Sequence, residues 1–267
     1  MKYDLKRLIR GRGIRRPSID LPSQPMPLYR DAELAAAILR PVRVWEGRRG
    51  KLVSAYEAAL GSFTKDSLDG DLAAAIMSVN VIGQQAVLEA NPFLDAFFRA
   101  VNEAHAKRWA SLVNSAAGIN PWPYIDLNEA GPGIAQFMQR MTSLISDVNE
   151  KTRAEVSEVL WDGLVNKRRP REVGKLLAEK MNTSRKRANF IAADQSNKFN
   201  AYLTELRQEE AGIDEFVWET AKDGRVRDSH RALQGRVFKW KEPPSVGLPG
   251  TPIRCRCTGR AHIDLSS

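Results

Sequence analysis

Two short stretches near the end of the chain concentrate side chains that can do chemistry. The first, residues 223–235, reads DGRVRDSHRALQG and places His230 among arginines and aspartates. The second, residues 252–257, reads PIRCRC and contains the only two cysteines of the 267-residue chain, Cys255 and Cys257. Imidazole, thiol and guanidinium groups can move protons, bind metals or hold anions, so these stretches raise three alternatives.

The first alternative is a catalytic site. His230 would act as a general acid or base, and Arg227 and Arg231 would hold a phosphate, as a ribonuclease-like reaction requires. His230 and Arg231 lie three and four positions after Arg227, so they share a face with it on a predicted short helix over residues 225–233. A single histidine among arginines is, however, weak evidence for catalysis.

The second alternative is a zinc site. His230, Cys255 and Cys257, with His262 or an aspartate as a further ligand, would bind the metal. Cys-x-Cys places both thiols on the same side of a strand. Cysteine pairs that bind zinc are usually separated by two to four residues, so the spacing here is unusual for zinc.

The third alternative is structural, and it is our working interpretation. The cysteines would be small buried residues, and His230 would donate a hydrogen bond to a backbone carbonyl. The arginines would pair with Asp223, Asp228 and Glu219. This interpretation predicts no catalytic residue, no metal ligand and no cofactor, while zinc and catalysis stay open as alternatives.

The elements that position these residues change character after Gly212. Up to about residue 210 apolar residues recur at helical spacing, whereas beyond it apolar and polar residues alternate as in strands. Phe216 and Trp218 share one strand face, and Ile253 would share a face with the cysteines. The strand candidates are residues 214–220, 236–240 and 253–257.

The helical part is punctuated by breaking and capping residues. We expect breaks at Pro41 and near Gly47 and Gly50. Residues 116–133, which carry three prolines and three glycines, predict a loop and an internal boundary. The helix starts are expected at Pro170 and at Thr183 or Ser184, and the last long helix should stop at Gly212.

The distribution of charge points to polyanions or acidic protein surfaces as partners. The chain carries a net charge of +9. Basic residues are concentrated in residues 1–30, 165–187 and 221–260, although the middle segment equally fits an ordinary solvated face. The most apolar stretch, residues 72–83, is interpreted as a core helix, so no membrane partner is expected.

The N-terminal 30 residues predict an extended arm with no fold of its own. They combine a net charge of +6 with four prolines, which block helices and sheet ladders. The arm is expected to bind a partner through apolar anchors at helical spacing and through flanking arginines. These residues are Leu5, Leu8, Ile9, Arg12, Arg15 and Arg16.

Three stretches together resemble the phage Mu F-like head morphogenesis family. They are residues 187–213 (RANFIAADQSNKFNAYLTELRQEEAGI), residues 216–238 (FVWETAKDGRVRDSHRALQGRVF) and PIRCRC. The order of so many spaced residues makes the resemblance fairly specific. The chain departs from the pattern at Ala193–Asp194 and in the residues before the first cysteine. The matching positions are Asp223, Arg225, Val226, Arg227, His230, Leu233, Gly235, Cys255, Arg256 and Cys257.

The resemblance implies a structural minor capsid protein of a tailed bacteriophage. Such a protein would act near the portal in head morphogenesis, genome packaging or DNA ejection, in several copies per virion. Its partners would be the portal protein, other head proteins and packaged DNA. It would reside in the virion, in the head interior or at the portal vertex, and in the host cytoplasm during assembly. The resemblance implies no established enzyme activity, but a likeness of the family's C-terminal fold to small nuclease toxins keeps the His230 nuclease as the alternative.

These observations predict an α+β protein with a mainly helical body of long helices, followed by a small C-terminal α+β module around a short sheet. The predicted regions are a basic, proline-rich extended arm over 1–30, a helical N-terminal region over 31–130, a long-helix region over 131–210 and the Mu F-like module over 211–267.

Overall fold

The computed structural model of the chain describes residues 2–14, 16–25, 27–62 and 70–266. Long helices dominate, and four strands form one sheet. The helices are α1 Leu5–Gly11, α2 Leu28–Ser62, α3 Gly70–Leu88, α4 Asn91–Ala117, α5 Gly131–Val165, α6 Pro170–Glu210 and α7 Asp228–Arg231. The strands are β1 Ser18–Asp20, β2 Glu215–Glu219, β3 Val237–Lys239 and β4 Thr258–Asp264. The predicted mainly helical α+β class is confirmed.

The chain forms two compact units, each built from separated segments. The helical unit comprises Asp31–Ala96 and Met138–Ala192, and the mixed unit comprises Met1–Arg30, Phe97–Phe137 and Ala193–Ser267. Helices α4, α5 and α6 each contribute residues to both units. The unit borders therefore differ from the region borders that composition suggested, because contacts between distant segments decide the grouping.

The core of the helical unit is almost entirely apolar. Helical spacing places the buried side chains of α5 and α6 on stripes that face the rest of this core. The helical spacing predicted from the sequence is confirmed here, with Leu176 only partly buried. The fully or largely buried members are Trp45, Leu52, Tyr56, Ala59, Leu72, Ile76, Val79, Val156, Val159, Leu160, Leu164, Val173, Leu177 and Met181.

The predicted breaks at Pro41 and near Gly47 and Gly50 are wrong, because α2 is continuous from Leu28 to Ser62. The predicted helix start at Thr183 or Ser184 is wrong as well. Helix α2 continues through Pro41, whose neighbours Ile38 and Val42 are fully buried; their packing offsets a cost of about 3 kcal/mol for an internal proline. Helix α6 starts at Pro170 as expected but does not restart at Ser184. The Ser184 hydroxyl instead accepts a hydrogen bond from Thr152 at 2.8 Å, in the core.

A small polar network interrupts the apolar core of the helical unit. The amide of Asn149 accepts a hydrogen bond from the Trp45 indole at 2.9 Å and donates one to Asn80 at 3.1 Å. Gly83 lies against this amide, and a Cβ at that position would overlap Asn149 Oδ1. Glycine is therefore required there by close approach of α5 side chains, not by backbone conformation.

The stretch 70–117 contains one window that is long and apolar enough to cross a membrane, judged by length and composition alone. Core helices of globular proteins meet the same criterion. In α3, Leu72, Ile76 and Val79 pack in the core of the helical unit, which matches the predicted core helix.

The mixed unit contains an antiparallel sheet with strand order β1–β4–β2–β3. In the register of the central strands, Phe216 of β2 lies opposite Ala261 of β4 and Phe238 of β3. Phe216 and Trp218 are fully buried, as alternation predicted, and Val217 is buried on the opposite face. The sheet is therefore covered on both faces at its centre.

The predicted extended arm is wrong for the residues that the structure describes. Asp4 caps α1 by accepting a hydrogen bond from the Arg7 backbone N–H at 2.8 Å, and β1 pairs with β4. Leu5 and Ile9 are fully buried beside Trp109. The prolines follow α1 instead of interrupting it, so apolar burial orders the segment despite its charge. The structure thus uses the predicted partner anchors Leu5 and Ile9, with Leu8 partly buried, for its own core.

Candidate functional site

His230 is positioned by α7, a single helical turn. The N–H of His230 bonds to the Arg227 carbonyl at 3.0 Å, and Leu233 just beyond the turn packs into the core beneath the sheet. Gly235 adopts a left-handed conformation with φ 77° and donates its N–H to the Trp218 carbonyl at 2.8 Å. The family motif residues Leu233 and Gly235 therefore fix α7 against β2.

The two cysteines follow a turn, not a strand as predicted for residues 253–257. Arg254 adopts φ 57°, and the N–H of Cys255 bonds back to the Pro252 carbonyl at 2.9 Å. The turn points Ile253 outward, 60% exposed, so it does not share a face with the cysteines. The strand β4 begins only at Thr258.

Asp194, in the middle of α6, anchors this turn. One carboxylate oxygen accepts the Arg254 N–H at 2.7 Å, and the other accepts Lys198 at 2.7 Å. Sequence reasoning did not assign Asp194 a role, although it noted that the chain departs from the family pattern here. Nearby, a Cβ at Gly250 would come within 2.8 Å of Ala201, so the turn lies tightly against α6.

These elements bring His230, Cys255 and Cys257 together. Nδ1 of His230 lies 3.4 Å from Sγ of Cys255 and 3.5 Å from Sγ of Cys257. The three residues are 3%, 3% and 5% exposed, and both thiols are free. Trp218 contacts the imidazole edge-on, with ring centroids 5.4 Å apart. His230 thus faces thiols and not the backbone carbonyl that the structural interpretation predicted.

The two thiols differ in acidity because one proton is shared between them. A hydrogen bond from the Cys257 thiol, aided by backbone N–H groups and His230, lowers the pKa of Cys255 from 9.0 to about 5. The same hydrogen bond, together with burial, raises the pKa of Cys257 above its usual range. The mutual hydrogen bond thus separates the pKa values of the two thiols and makes Cys255 the more acidic of the pair.

A cavity of about 150 Å³ opens beside the three residues. Its wall is rich in arginines, and two of them are held by defined contacts. Arg256 makes two hydrogen bonds to the Asp223 carboxylate at 2.6 and 2.7 Å, and Arg227 donates to the Ile253 carbonyl at 2.7 Å. The lining residues are Ala221, Arg225, Val226, Arg227, His230, Arg254, Cys255, Arg256 and Cys257.

Two residues of the sequence alternatives lie elsewhere. Arg231, predicted to hold a phosphate with Arg227, bonds to the Val226 carbonyl at 3.1 Å and does not line this cavity. His262, the suggested fourth zinc ligand, lies on β4 with Nδ1 2.6 Å from the Asp20 carboxylate. Of the predicted arm residues, Arg12 and Arg16 are exposed, and Arg15 lies outside the described residues.

Comparison with known proteins identifies the segment that carries this site. Residues 154–260 match the family described as Phage Mu protein F like protein. The match supports the predicted resemblance of this segment to the Mu F-like family. The segment includes α7 and the cysteine turn, so every motif residue falls within it. The match supports a protein of phage head morphogenesis.

A relative found by sequence comparison adds no function. An uncharacterized protein of Haemophilus influenzae (strain ATCC 51907 / DSM 11121 / KW20 / Rd) is 35% identical over 128 residues. The alignment covers 48% of this chain, and the chain spans about 28% of the length of that relative. No solved structure matches the chain.

Proposed function

We propose that the protein is a structural minor capsid protein of a tailed bacteriophage, which associates with the portal during head morphogenesis and takes part in genome packaging or DNA ejection. The observation that carries this proposal is the Mu F-like segment, residues 154–260. Its motif residues close a folded module: Asp223 holds Arg256, and Leu233 packs in a core. This use of the motif suits a structural protein.

The test is the protein content of purified heads, measured by mass spectrometry. Heads assembled with the portal protein should contain several copies of the chain, and heads assembled without it should contain none. Equal amounts in both kinds of head would show that incorporation does not depend on the portal. Absence from heads of both kinds would overturn the proposal.

Contact with packaged DNA is proposed for the exposed arginines of the N-terminal segment. Arg12 and Arg16 are exposed, whereas several basic residues of the middle segment are paired with acids. Arg185 contacts Glu46 at 2.7 Å; Arg187 contacts Glu155 at 3.5 Å. A charge that already has an acidic partner gains less from a phosphate.

Salt dependence of DNA binding by the full chain tests this contact. Arg12→Gln with Arg16→Gln should reduce the slope of log affinity against log salt by about 0.9 for each phosphate that the protein no longer neutralises. Lys180→Gln is the control, since Lys180 is paired with Glu158 at 3.7 Å. An unchanged slope in the double variant would place the DNA-binding surface elsewhere.

A nuclease is the second candidate, favoured by the arginine-lined cavity next to His230. The buried imidazole faces two thiols, which is a poor position for proton transfer to a polynucleotide. Incubation with RNA and DNA decides between the candidates. Cleavage by the wild type that disappears in His230→Ala, but is kept in His262→Ala, would favour the nuclease.

A further inference from the structure

The imidazole and the two thiols have the mutual spacing of metal ligands. Ideal tetrahedral zinc, with bonds of about 2.3 Å to sulfur and about 2.05 Å to nitrogen, separates a nitrogen ligand from a sulfur ligand by about 3.5 Å. The two separations from His230 Nδ1 are 3.4 and 3.5 Å. All three ligand atoms lie within 4.8 Å of one another, so one ion can contact all of them.

We propose that His230, Cys255 and Cys257 bind one zinc ion and leave a fourth coordination position open to the adjacent cavity. Two thiolates and an imidazole form a soft ligand set, which favours zinc over magnesium or calcium. On binding, the protons that the two thiols carry pass to solvent. Two thiolates balance the charge of Zn²⁺, which makes burial of the complex among Trp218 and its neighbours favourable.

The fourth position is assigned to water or a small anion. Within the part of the chain that the structure describes, no further His, Cys, Asp or Glu joins this cluster. All three ligand residues line the 150 Å³ cavity, so the open side of the ion faces it. Arg227 lines this cavity and bonds to a carbonyl oxygen instead of a carboxylate, so its charge favours an anion there. The site therefore has the form of three protein ligands plus one exchangeable ligand.

Zinc would also act as a link between elements distant in sequence. His230 lies in α7, while the cysteines connect the Arg254 turn to β4. Apart from the ion, short-range packing, the Asp223–Arg256 ion pair and the hydrogen bond from Arg227 to the Ile253 carbonyl hold these parts together. This inference concerns the module's own chemistry and does not depend on the role proposed for the protein in phage heads.

Metal analysis of the full chain, purified under reducing conditions after expression with zinc, tests the proposal. The wild type should contain about one zinc per chain. Cys255→Ser, Cys257→Ser and His230→Ala should each lose most of it. The matched control His262→Asn should keep the wild-type content, because His262 lies beside Asp20. Full zinc content in both cysteine variants, or none in the wild type, overturns the proposal.

Substitution of Co²⁺ for zinc gives a spectroscopic test that requires no variant protein. The wild type loaded with Co²⁺ should show thiolate-to-cobalt charge transfer and the intense visible bands of tetrahedral cobalt. Thiocyanate should shift these bands by replacing the fourth ligand. Absence of charge transfer overturns the site, and absence of a shift overturns the open position. A metal-free wild type whose intact mass is two hydrogens lower contains a Cys255–Cys257 disulfide, which also overturns the proposal.

Discussion

The core of the helical unit and the core beneath the sheet differ in the side chains that they bury. The first is a broad aliphatic core with one polar network, Trp45–Asn149–Asn80. The second is small: Phe216, Trp218 and Trp240 with Leu233 and the two cysteines. A large apolar core tolerates repacking, because many neighbours share the change. A small core depends on a few large side chains and on directed polar contacts.

The difference between the two cores is tested most directly at Trp218. Trp218→Ala should lower the free energy of unfolding by about 3–5 kcal/mol, because a fully buried indole is removed and few neighbours can fill the space. Urea unfolding, followed by circular dichroism, measures this. The control is Trp161→Ala, at a tryptophan that is 42% exposed in the helical unit and should therefore destabilise clearly less than Trp218→Ala does. Similar effects of both substitutions would mean that the sheet core does not depend on its indole.

In the helical unit, the polar network is the sensitive point. Gly83→Ala should destabilise by about 1–3 kcal/mol, because the added Cβ overlaps the Asn149 amide that Trp45 and Asn80 hold in place. Thermal unfolding is the measurement.

Gly50→Ala is the control of opposite sign for this prediction. Gly50 lies inside α2 with no atom within 4 Å of an added Cβ, so alanine should stabilise by about 0.4–1 kcal/mol. A neutral Gly83→Ala would show that the network can rearrange as easily as the aliphatic core around it.

The smallest expected effect concerns Asp223 and pH. The hydrogen bond from Arg256, with the backbone N–H of Arg225, lowers the pKa of Asp223 below 3.8. A carboxylate whose pKa is lowered by folding stabilises the protein above the unfolded pKa, and this contribution is lost as pH falls through the folded pKa. Asp223→Asn should therefore lower the melting temperature near neutral pH, and the difference from wild type should vanish in strong acid.

A matched control isolates the ion pair from a general loss of charge. Asp228→Asn removes a carboxylate that is 98% exposed and 3.9 Å from Arg231. Its melting temperature should follow the wild type at every pH. If Asp223→Asn does the same, the Arg256 contact contributes no measurable stability to the module.

The sequence predicted elements whose apolar residues follow one period over many positions. Helix α5 and strand β2 belong to this class, and so does the Gly212 stop, where φ is 70°. Strand β4 was missed because its buried face consists of Gly259, Ala261 and Ile263, two of which carry almost no apolar signal. The prediction of a strand over residues 253–257 was wrong because the local sequence pattern does not reveal the left-handed backbone conformation of Arg254.

The sequence identified the residues of the candidate site, but it could not predict the geometry of that site. Residues 230 and 255 are 25 positions apart, and whether they meet depends on how α7 and the Arg254 turn pack on the sheet. The prediction of an extended N-terminal arm was wrong for the same reason. Its prolines and charges were visible, but the core that receives Leu5 and Ile9 includes residues at least 100 positions away, such as Trp109 and Ile213.

The pairing of β1 with β4 has a consequence for the order of events on the ribosome. Asp20 and His262, which meet across this pair, are 242 residues apart. At a synthesis rate of about 5–20 residues per second, β1 is made roughly 10–50 s before β4, the strand that it pairs with. During that time the apolar side of α1 has no sheet to cover it, while most of the helical unit has already been synthesised. The nascent chain should therefore complete its mixed unit only after β4 has been synthesised, and its N-terminal segment should be the part that chaperones bind.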